Sequence, residues 1–263
     1  TGVMCIAVAA CAAVARAQTD APAPVSEGLL AHYDFDDEDP GRDATGNGWD
    51  GLAGGLRLVD GVVGKAAEFD GQGGFVVDAF RNYVWGEEFS VSLWFRRDDA
   101  GSGYQALINN TMDQDVSWSL VAGSENGGRA IWAQVETAKA TRSPDFAPAL
   151  AEVGKWHHLA LIYSRGSSFF FLDGVAMLPL VKDEGAIRPM DAPLQIACVM
   201  VKGQWRRSSI ILDDIRIYNR AISSTEINAL AVDTLNASSV PAELRPAVRR
   251  VSPNIRIGSN QAP

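Results

Sequence analysis

The sequence predicts an all-β fold, a two-sheet antiparallel jelly-roll sandwich with one short helix towards its C-terminal end. Three observations predict it: short apolar runs with a period of two, turn dipeptides between these runs, and only one segment with helix signals. Many short strands joined by tight turns are typical of sandwiches and jelly rolls. A chain of 263 residues is long enough for one such domain.

Two segments show the alternation of a half-buried strand most clearly. In "FSVSLWFRR", residues 89–97, the apolar side chains alternate with serine, tryptophan and arginine, so Trp94 lies opposite the apolar face. In "AIWAQVE", residues 130–136, Trp132 has the same position. Both segments are therefore predicted to be strands.

Hairpin turns are predicted at two Asp-Gly dipeptides. Asp173-Gly174 divides "SSFFFLDGVAML", and Asp70-Gly71 divides "EFDGQGGFVV". Both residue types tolerate the positive φ angles of a tight turn, so a strand is expected on each side of each dipeptide.

The helix is predicted at "ISSTEINAL", where Ser223 and Glu226 have the spacing of a capping box. It would close a domain of residues 28–231. Residues 232–263 contain scattered prolines and arginines without a periodic pattern, and we expect a flexible tail or linker there.

The N-terminal residues predict export. Residues 1–17 contain an apolar run too short to cross a bilayer, followed by a small-residue cleavage site before Gln18, as in a secretory signal peptide. Residues 18–27 are predicted to be a linker. The alternative is a lipid anchor on Cys11, because "VAAC" resembles a lipobox. The protein is expected to be secreted or on the cell surface, without a membrane span.

Composition excludes some classes of partner. The formal net charge of -9 disfavours nucleic acid and anionic lipid as partners.

The mature chain would keep Cys198 inside an apolar run, which predicts a buried thiol and no disulfide framework. The sequence also lacks a P-loop, a nucleophile elbow, a zinc-binding helix and the paired acids of β-sandwich glycanases. No enzymatic activity is expected.

Acidic residues suggest a cation site. Asp213 shares a strand face with Ile211 and Ile215 under period two, which predicts that it points inward while Asp214 points out. A buried carboxylate needs a partner, either a cation or backbone N–H groups of loop 43–48. Repulsion within residues 33–50 would also be relieved by a hard cation. That segment holds seven carboxylates: Asp34, Asp36, Asp37, Glu38, Asp39, Asp43 and Asp50.

Seven segments, in order, resemble the laminin-G-like domains of the concanavalin-A-like lectin/glucanase superfamily, over residues 28–230. The resemblance implies a two-sheet jelly roll that binds carbohydrate or protein outside the cell, often with calcium at the sheet rim. It implies a structural Ca²⁺ near Asp43, Asn47 and Asp213. The segments are "GLLAHYDFDD", "DATGNGWDG", "GKAAEFDGQGGFVV", "FSVSLWFR", "GKWHHLALIY", "FFFLDG" and "LDDIRIYNRAISSTEI".

Adjacent histidines occur in "KWHHLALIYS". Neighbouring strand residues point to opposite faces, so His157 and His158 cannot bind one metal ion or one substrate together. Trp156 and His158 are predicted to share a face and to be structural.

Trp94 and Trp132 are the predicted ligand-binding residues, since exposed indoles stack on sugar rings. The alternative is that loops cover this face and the indoles form a second packing layer. In that case binding is expected at the rim loops, where four residues supply polar and aromatic groups: Asn109, Asn110, Asp113 and Trp205.

The expected function is therefore a non-catalytic extracellular binding module, carbohydrate-binding or adhesive, with a structural calcium ion. Two other classes remain open. One is a structural or interaction domain of a larger cell-surface protein, and the other is a glycan-active enzyme of the same fold.

Overall fold

The structure is a computed structural model. The predicted signal peptide, Cys11 and residues 18–24 of the predicted linker lie outside the described residues, as does the end of the predicted tail. The described residues are 25–98, 103–113, 115–123, 130–138, 145–177, 185–252, 255 and 257.

Antiparallel strands dominate this part of the chain, as expected, and fifteen are found in the described residues. They are β1 (Leu29–Tyr33), β2 (Leu52–Asp60), β3 (Lys65–Val77), β4 (Glu88–Arg96), β5 (Gln105–Met112), β6 (Asp115–Ala122), β7 (Ala130–Val135), β8 (Asp145–Leu150), β9 (Trp156–Ser164), β10 (Ser167–Leu172), β11 (Val175–Met177), β12 (Leu194–Ile196), β13 (Cys198–Val201), β14 (Gln204–Arg207) and β15 (Ser209–Tyr218).

Thirteen of the described strands form one curled sheet in the order β11-β10-β9-β4-β15-β3-β12-β5-β6-β7-β8, with β1 on β15 and β2 on β3. The β4 half is defined as β11, β10, β9, β4 and β15, together with β1. The β5 half is defined as β12, β5, β6, β7 and β8. The remaining two, β13 and β14, form a separate hairpin. The predicted all-β jelly-roll class is confirmed.

Strand β3 belongs to both halves. Its first part, around Ala67, pairs with β15, and its last part, around Phe75, pairs with β12. The two halves therefore face each other across one core, which contains Leu93 of β4 as well as Leu120 of β6. Trp85 and Trp118 meet edge to face in this core, with ring centroids 5.2 Å apart.

One hairpin prediction is confirmed and the other is wrong. Asp173 and Gly174 both have positive φ, 53° and 73°, and join β10 to β11. Asp70 and Gly71 instead lie inside the continuous strand β3. The glycines that follow allow this strand to bend between the halves without a chain reversal.

The capping box at the predicted helix is confirmed. Ser223 accepts a hydrogen bond from the backbone N–H of Glu226, whose carboxylate accepts one from the N–H of Ser223. The helical segment consists of α1 (Ser224–Asn228), one π-helical turn (Ala229–Asp233) and α2 (Thr234–Ala237). No described helix is long and apolar enough to cross a membrane.

Residues 238–252 differ from the expected flexible tail, because they pack on the outer face of the β4 half. Leu235, Val240 and Val251 are buried there. The Arg249 N–H donates to the Asp173 carbonyl at 2.8 Å. Part of the predicted tail is thus folded against the sheet.

Two glycines test this packing. A Cβ at Gly174 would lie 1.6 Å from the Arg249 carbonyl oxygen, whereas a Cβ at Gly154 would meet nothing within 4 Å, although both have positive φ. Both alanine variants should lose stability, by about 1–2 kcal/mol for the left-handed backbone. G174A should lose about 1–3 kcal/mol more, because Arg249 must move. Urea denaturation measures this difference, and equal losses would mean that the C-terminal segment does not dock.

Candidate functional site

Asp43, a predicted calcium ligand, organises a loop. Its carboxylate is buried and accepts hydrogen bonds from the N–H groups of His32 and Thr45, both at 3.0 Å, and from that of Trp49 at 3.3 Å. The Thr45 hydroxyl donates to it at 2.7 Å. Both carboxylate oxygens are therefore already used by protein donors.

Asn47 is exposed in the same loop and is bonded to β1. Its side-chain NH₂ donates to the carbonyls of Leu29 and Leu30, at 3.2 and 3.0 Å. The loop is thereby held against the first strand.

Asp213 is fully buried and has backbone partners, although not the predicted ones. Its Oδ2 accepts from the N–H groups of Val62 and Val63, at 2.7 and 3.0 Å, rather than from loop 43–48. Its Oδ1 has no hydrogen-bond partner. Burial raises the pKa of this carboxyl group well above its usual value.

The predicted orientation of this acidic pair is wrong. A bulge at Asp214, with φ of 47°, breaks the period of two, so Asp213 lies opposite Trp94 on the outer face of the β4 half. Asp214 does not point to solvent either. It is buried and contacts His32 at 2.6 Å and Arg216 at 2.8 Å. Burial alone would raise the pKa of Asp214, but these two partners lower it to about 2.

Asp43, Asn47 and Asp213 therefore have separate partners and do not form one ligand set. The described residues contain no group of three or more His, Cys, Asp or Glu side chains placed to hold a metal ion. Asp43 and Asn47 lie beside β1, and Asp213 lies at turn 61–64. Calcium binding itself stays a prediction.

If calcium does bind, melting temperatures should show it. Calcium that binds only the folded state should raise the free energy of unfolding by about 2.7 kcal/mol when free calcium is 100 times the dissociation constant. D213A should abolish the gain if Asp213 is a ligand, whereas D78A, at an exposed ion pair, should keep it. An unchanged melting curve for the wild-type protein with calcium or chelator would contradict the prediction.

Trp94, a predicted ligand-binding residue, is not exposed, so the structure does not support that role. The indole is fully buried and packs with Trp156, Leu235 and Val240 under the C-terminal segment. The segment predicted to be a flexible tail covers it, so no ring surface is open to a sugar. Trp94 belongs to a second packing layer, the alternative weighed from the sequence.

Trp132 lies on the outer face of the β5 half and is also buried, with 7% of its surface exposed. Its ring meets Tyr104 edge to face, with centroids 5.6 Å apart. Burial raises the pKa of this phenol to about 12 even though Arg206 is close enough to lower it. Trp132 therefore offers little surface for stacking.

The histidines lie on opposite faces, as predicted. His157 contacts Asp173, with Nδ1 to Oδ2 at 2.7 Å, while Nε2 of the buried His158 is 2.9 Å from the Ser92 hydroxyl. Burial lowers the pKa of His158 to about 4. Ser92 and His158 resemble a nucleophile and its base, but both are buried beneath the C-terminal segment, together with Trp156.

The pKa of His158 predicts a pH dependence of stability. Between pH 6.5, the pKa of this side chain in the unfolded chain, and about pH 4, His158 is protonated in the unfolded chain and neutral in the folded one. The free energy of unfolding should thus fall by up to about 1.4 kcal/mol per pH unit in this window as pH falls. H158Q should remove the contribution of one bound proton to this dependence of unfolding free energy on pH. Urea denaturation at pH 7.5 and 4.5 measures the change. Equal slopes would mean that His158 is protonated in the fold.

An open groove lies where β2 and β3 pass the β13–β14 hairpin. Its volume is about 420 Å³. Trp205 is 41% exposed, the only tryptophan among the large exposed apolar side chains of the described structure. Trp205 and Arg207 are two residues apart on β14, so they share a face of the strand, and both line the groove. The full lining is Gly54, Gly55, Gln72, Gly73, Gly74, Val76, Cys198, Trp205 and Arg207.

Close backbone contact forms the floor. A Cβ at Gly73 would lie 1.8 Å from the Gly54 carbonyl oxygen, and a Cβ at Gly74 would lie 2.6 Å from the Cys198 sulfur. Side chains are therefore excluded at Gly73 and Gly74, whereas a Cβ at Gly54 would meet nothing within 4 Å, so a ligand can approach the main chain there. The segment "GQGG", residues 71–74, was a sequence signal for this close contact between strands, and the hairpin interpretation missed it.

Two of the other rim candidates, Asn109 and Asp113, hold the hairpin in place. Asn109 is buried and its NH₂ donates to the Cys198 carbonyl at 2.8 Å, while Asp113 accepts from the Gly203 N–H at 3.0 Å. Asn110 is buried as well and accepts from the Trp85 indole at 3.2 Å. Of the four rim candidates, Trp205 is the one that lines the groove.

Comparison with known proteins agrees with this fold. The family model for laminin-G-like domains, described as the concanavalin A-like lectin/glucanases superfamily, matches residues 69–228. The chain belongs to this superfamily. Calsyntenin-3 of Danio rerio is 31% identical over 135 residues, a match that covers 46% of this chain and 14% of calsyntenin-3.

Solved structures share the fold at lower identity. Domain 4 of AbnA, an extracellular arabinanase from Geobacillus stearothermophilus in complex with arabinotriose, has 22% identity and a TM-score of 0.61, and covers 77% of this chain and 98% of its own. Trypanosoma rangeli sialidase in complex with sialic acid has 20% identity and a TM-score of 0.62, over 81% of this chain and 34% of the sialidase. The binding domain of Paraclostridial mosquitocidal protein 1 has 17% identity and a TM-score of 0.60, over 78% of this chain and 52% of its own.

Proposed function

We propose that the protein is a non-catalytic extracellular binding module and that its ligand is a carbohydrate held in the groove beside Trp205. The observation that carries the proposal is the exposed indole of Trp205 at the wall of an open groove. Exposed indoles are enriched where a ligand presents an apolar face and a polar edge, as a sugar ring does.

The groove suits a sugar in two further respects. Its glycine floor lets a ring approach the backbone, while the side chains of Gln72 and Arg207 supply hydrogen-bonding groups at the wall. Hydroxyl groups of a sugar could then bond to polar groups while the C–H face of the ring stacks on Trp205.

The lining residues support the proposal of a binding role rather than hydrolysis. None of the described residues that line the groove is Asp or Glu. Most glycoside hydrolases need a pair of carboxyl groups on either side of the scissile bond. The Ser92–His158 pair does not offer another route, because both residues are buried away from the groove.

The comparisons support the ligand class and the location. The arabinanase domain of the same fold was solved in complex with arabinotriose, which supports a carbohydrate ligand here. The similarity to calsyntenin-3 and the family membership support a place outside the cell or at its surface.

W205A should weaken glycan binding without unfolding the protein. Loss of the stacking surface should raise the dissociation constant about tenfold, which corresponds to about 1.4 kcal/mol. Stability should change by no more than about 0.5 kcal/mol, because the side chain is exposed. A glycan array followed by isothermal titration with the best ligand measures both effects.

L52A is the matched control, since Leu52 is 85% exposed on β2 but is not part of the groove lining. It should bind like the wild-type protein. Equal affinity of W205A and the wild-type protein for every glycan that binds would contradict the proposed groove.

A further inference from the structure

The β13–β14 hairpin concentrates positive charge on an acidic chain. Residues 198–207 include Lys202, Arg206 and Arg207 but no Asp or Glu, whereas the whole chain has a formal charge of -9. Local charge of the opposite sign to the rest of a surface is a common feature of a site for a charged ligand.

Among the described residues, these three cations have no carboxylate partner. Most described arginines are paired, such as Arg57 with Glu68 at 2.7 Å and Arg96 with Asp98 at 2.8 Å. Within the described part of the chain, no ion pair includes Lys202, Arg206 or Arg207. Their charges therefore remain available to a ligand.

Two carboxylates near the hairpin accept hydrogen bonds from backbone N–H groups and not from Lys202, Arg206 or Arg207. Asp70 accepts a hydrogen bond from the Gln72 N–H at 2.7 Å, and Asp113 accepts from the Gly203 N–H at 3.0 Å. Burial raises the pKa of the Cys198 thiol to about 11, so the group stays neutral at the floor of the groove. No described lining residue neutralises Arg207.

Arg207 is the cation that shares the groove with Trp205. Its Nη1 donates to the Gln72 carbonyl, which orients the guanidinium group. Among the described residues, the Nε–Nη2 edge has no hydrogen-bond partner. Arg206 is on the other side of β14, near Tyr104. An arginine edge of this kind matches the two oxygens of a carboxylate.

We propose that the groove selects an acidic sugar, a uronic acid residue whose ring stacks on Trp205 and whose carboxylate pairs with the Nε–Nη2 edge of Arg207. This inference rests on the proposed carbohydrate-binding function and names its ligand class. The planar carboxylate fits a two-point contact on one guanidinium edge.

The test uses pairs of trisaccharides in which the carboxylate groups of one member are neutral methyl esters in the other. Oligogalacturonate, oligoglucuronate and oligomannuronate are each compared with their uncharged methyl esters by isothermal titration. Short oligomers are used because long polyanions bind basic patches without specificity. At least one acid should bind about tenfold more tightly than its ester, a difference of about 1.4 kcal/mol.

The variants separate the two groups of the site. R207Q should remove the preference for the acid, so that each acid and its ester bind this variant with equal affinity. R206Q, the matched control on the other side of the same strand, should retain the preference. W205A should weaken binding of acid and ester alike.

The outcomes distinguish this inference from the proposed function. If neutral glycans bind through Trp205 and no acid is preferred over its ester, the uronic acid inference is overturned and the carbohydrate-binding function stands. A preference for the acid that survives R207Q overturns the inference as well. If no glycan binds at all, the proposed function fails first.

Discussion

Strand β3 must serve two sheet halves at once, and the rest of the structure depends on this constraint. It pairs with β15 at one end and β12 at the other, so it has to bend between them. Gly73 and Gly74 permit the bend because no Cβ fits between β3, β2 and Cys198. The same two glycines line the groove. The bend of β3 and the candidate site thus share these residues.

The sequence predicted those parts of the fold that depend on local pattern. Alternation placed β4 and β7, and the Ser223–Glu226 spacing identified the helix. Period two failed at Asp214, where a positive φ produces a bulge, because pairing with two neighbouring strands determines the local geometry there. Such long-range constraints leave no signature in residue order.

The candidate site was less predictable because burial of an aromatic residue depends on what covers it. Trp94 and Trp205 both follow strand patterns with polar neighbours, yet one is fully buried and the other 41% exposed. The difference lies in the C-terminal segment, whose Leu235 and Val240 cover Trp94. That segment has no periodic pattern, since its residues pack individually rather than as one face of a long helix.

Scaffold and recognition element are separable in this architecture. The β13–β14 hairpin is not part of the thirteen-stranded ladder. It is attached by side-chain bonds such as Asn109 to Cys198 and Gln195 to Met200, and by a backbone bond from the Asp113 N–H to the Met200 carbonyl. The side chains of Trp205, Arg206 and Arg207 can therefore be exchanged without breaking a backbone bond of the main sheet. Such a hairpin is a natural position for new specificities to evolve, and for grafted or randomised sequences in an engineered binder.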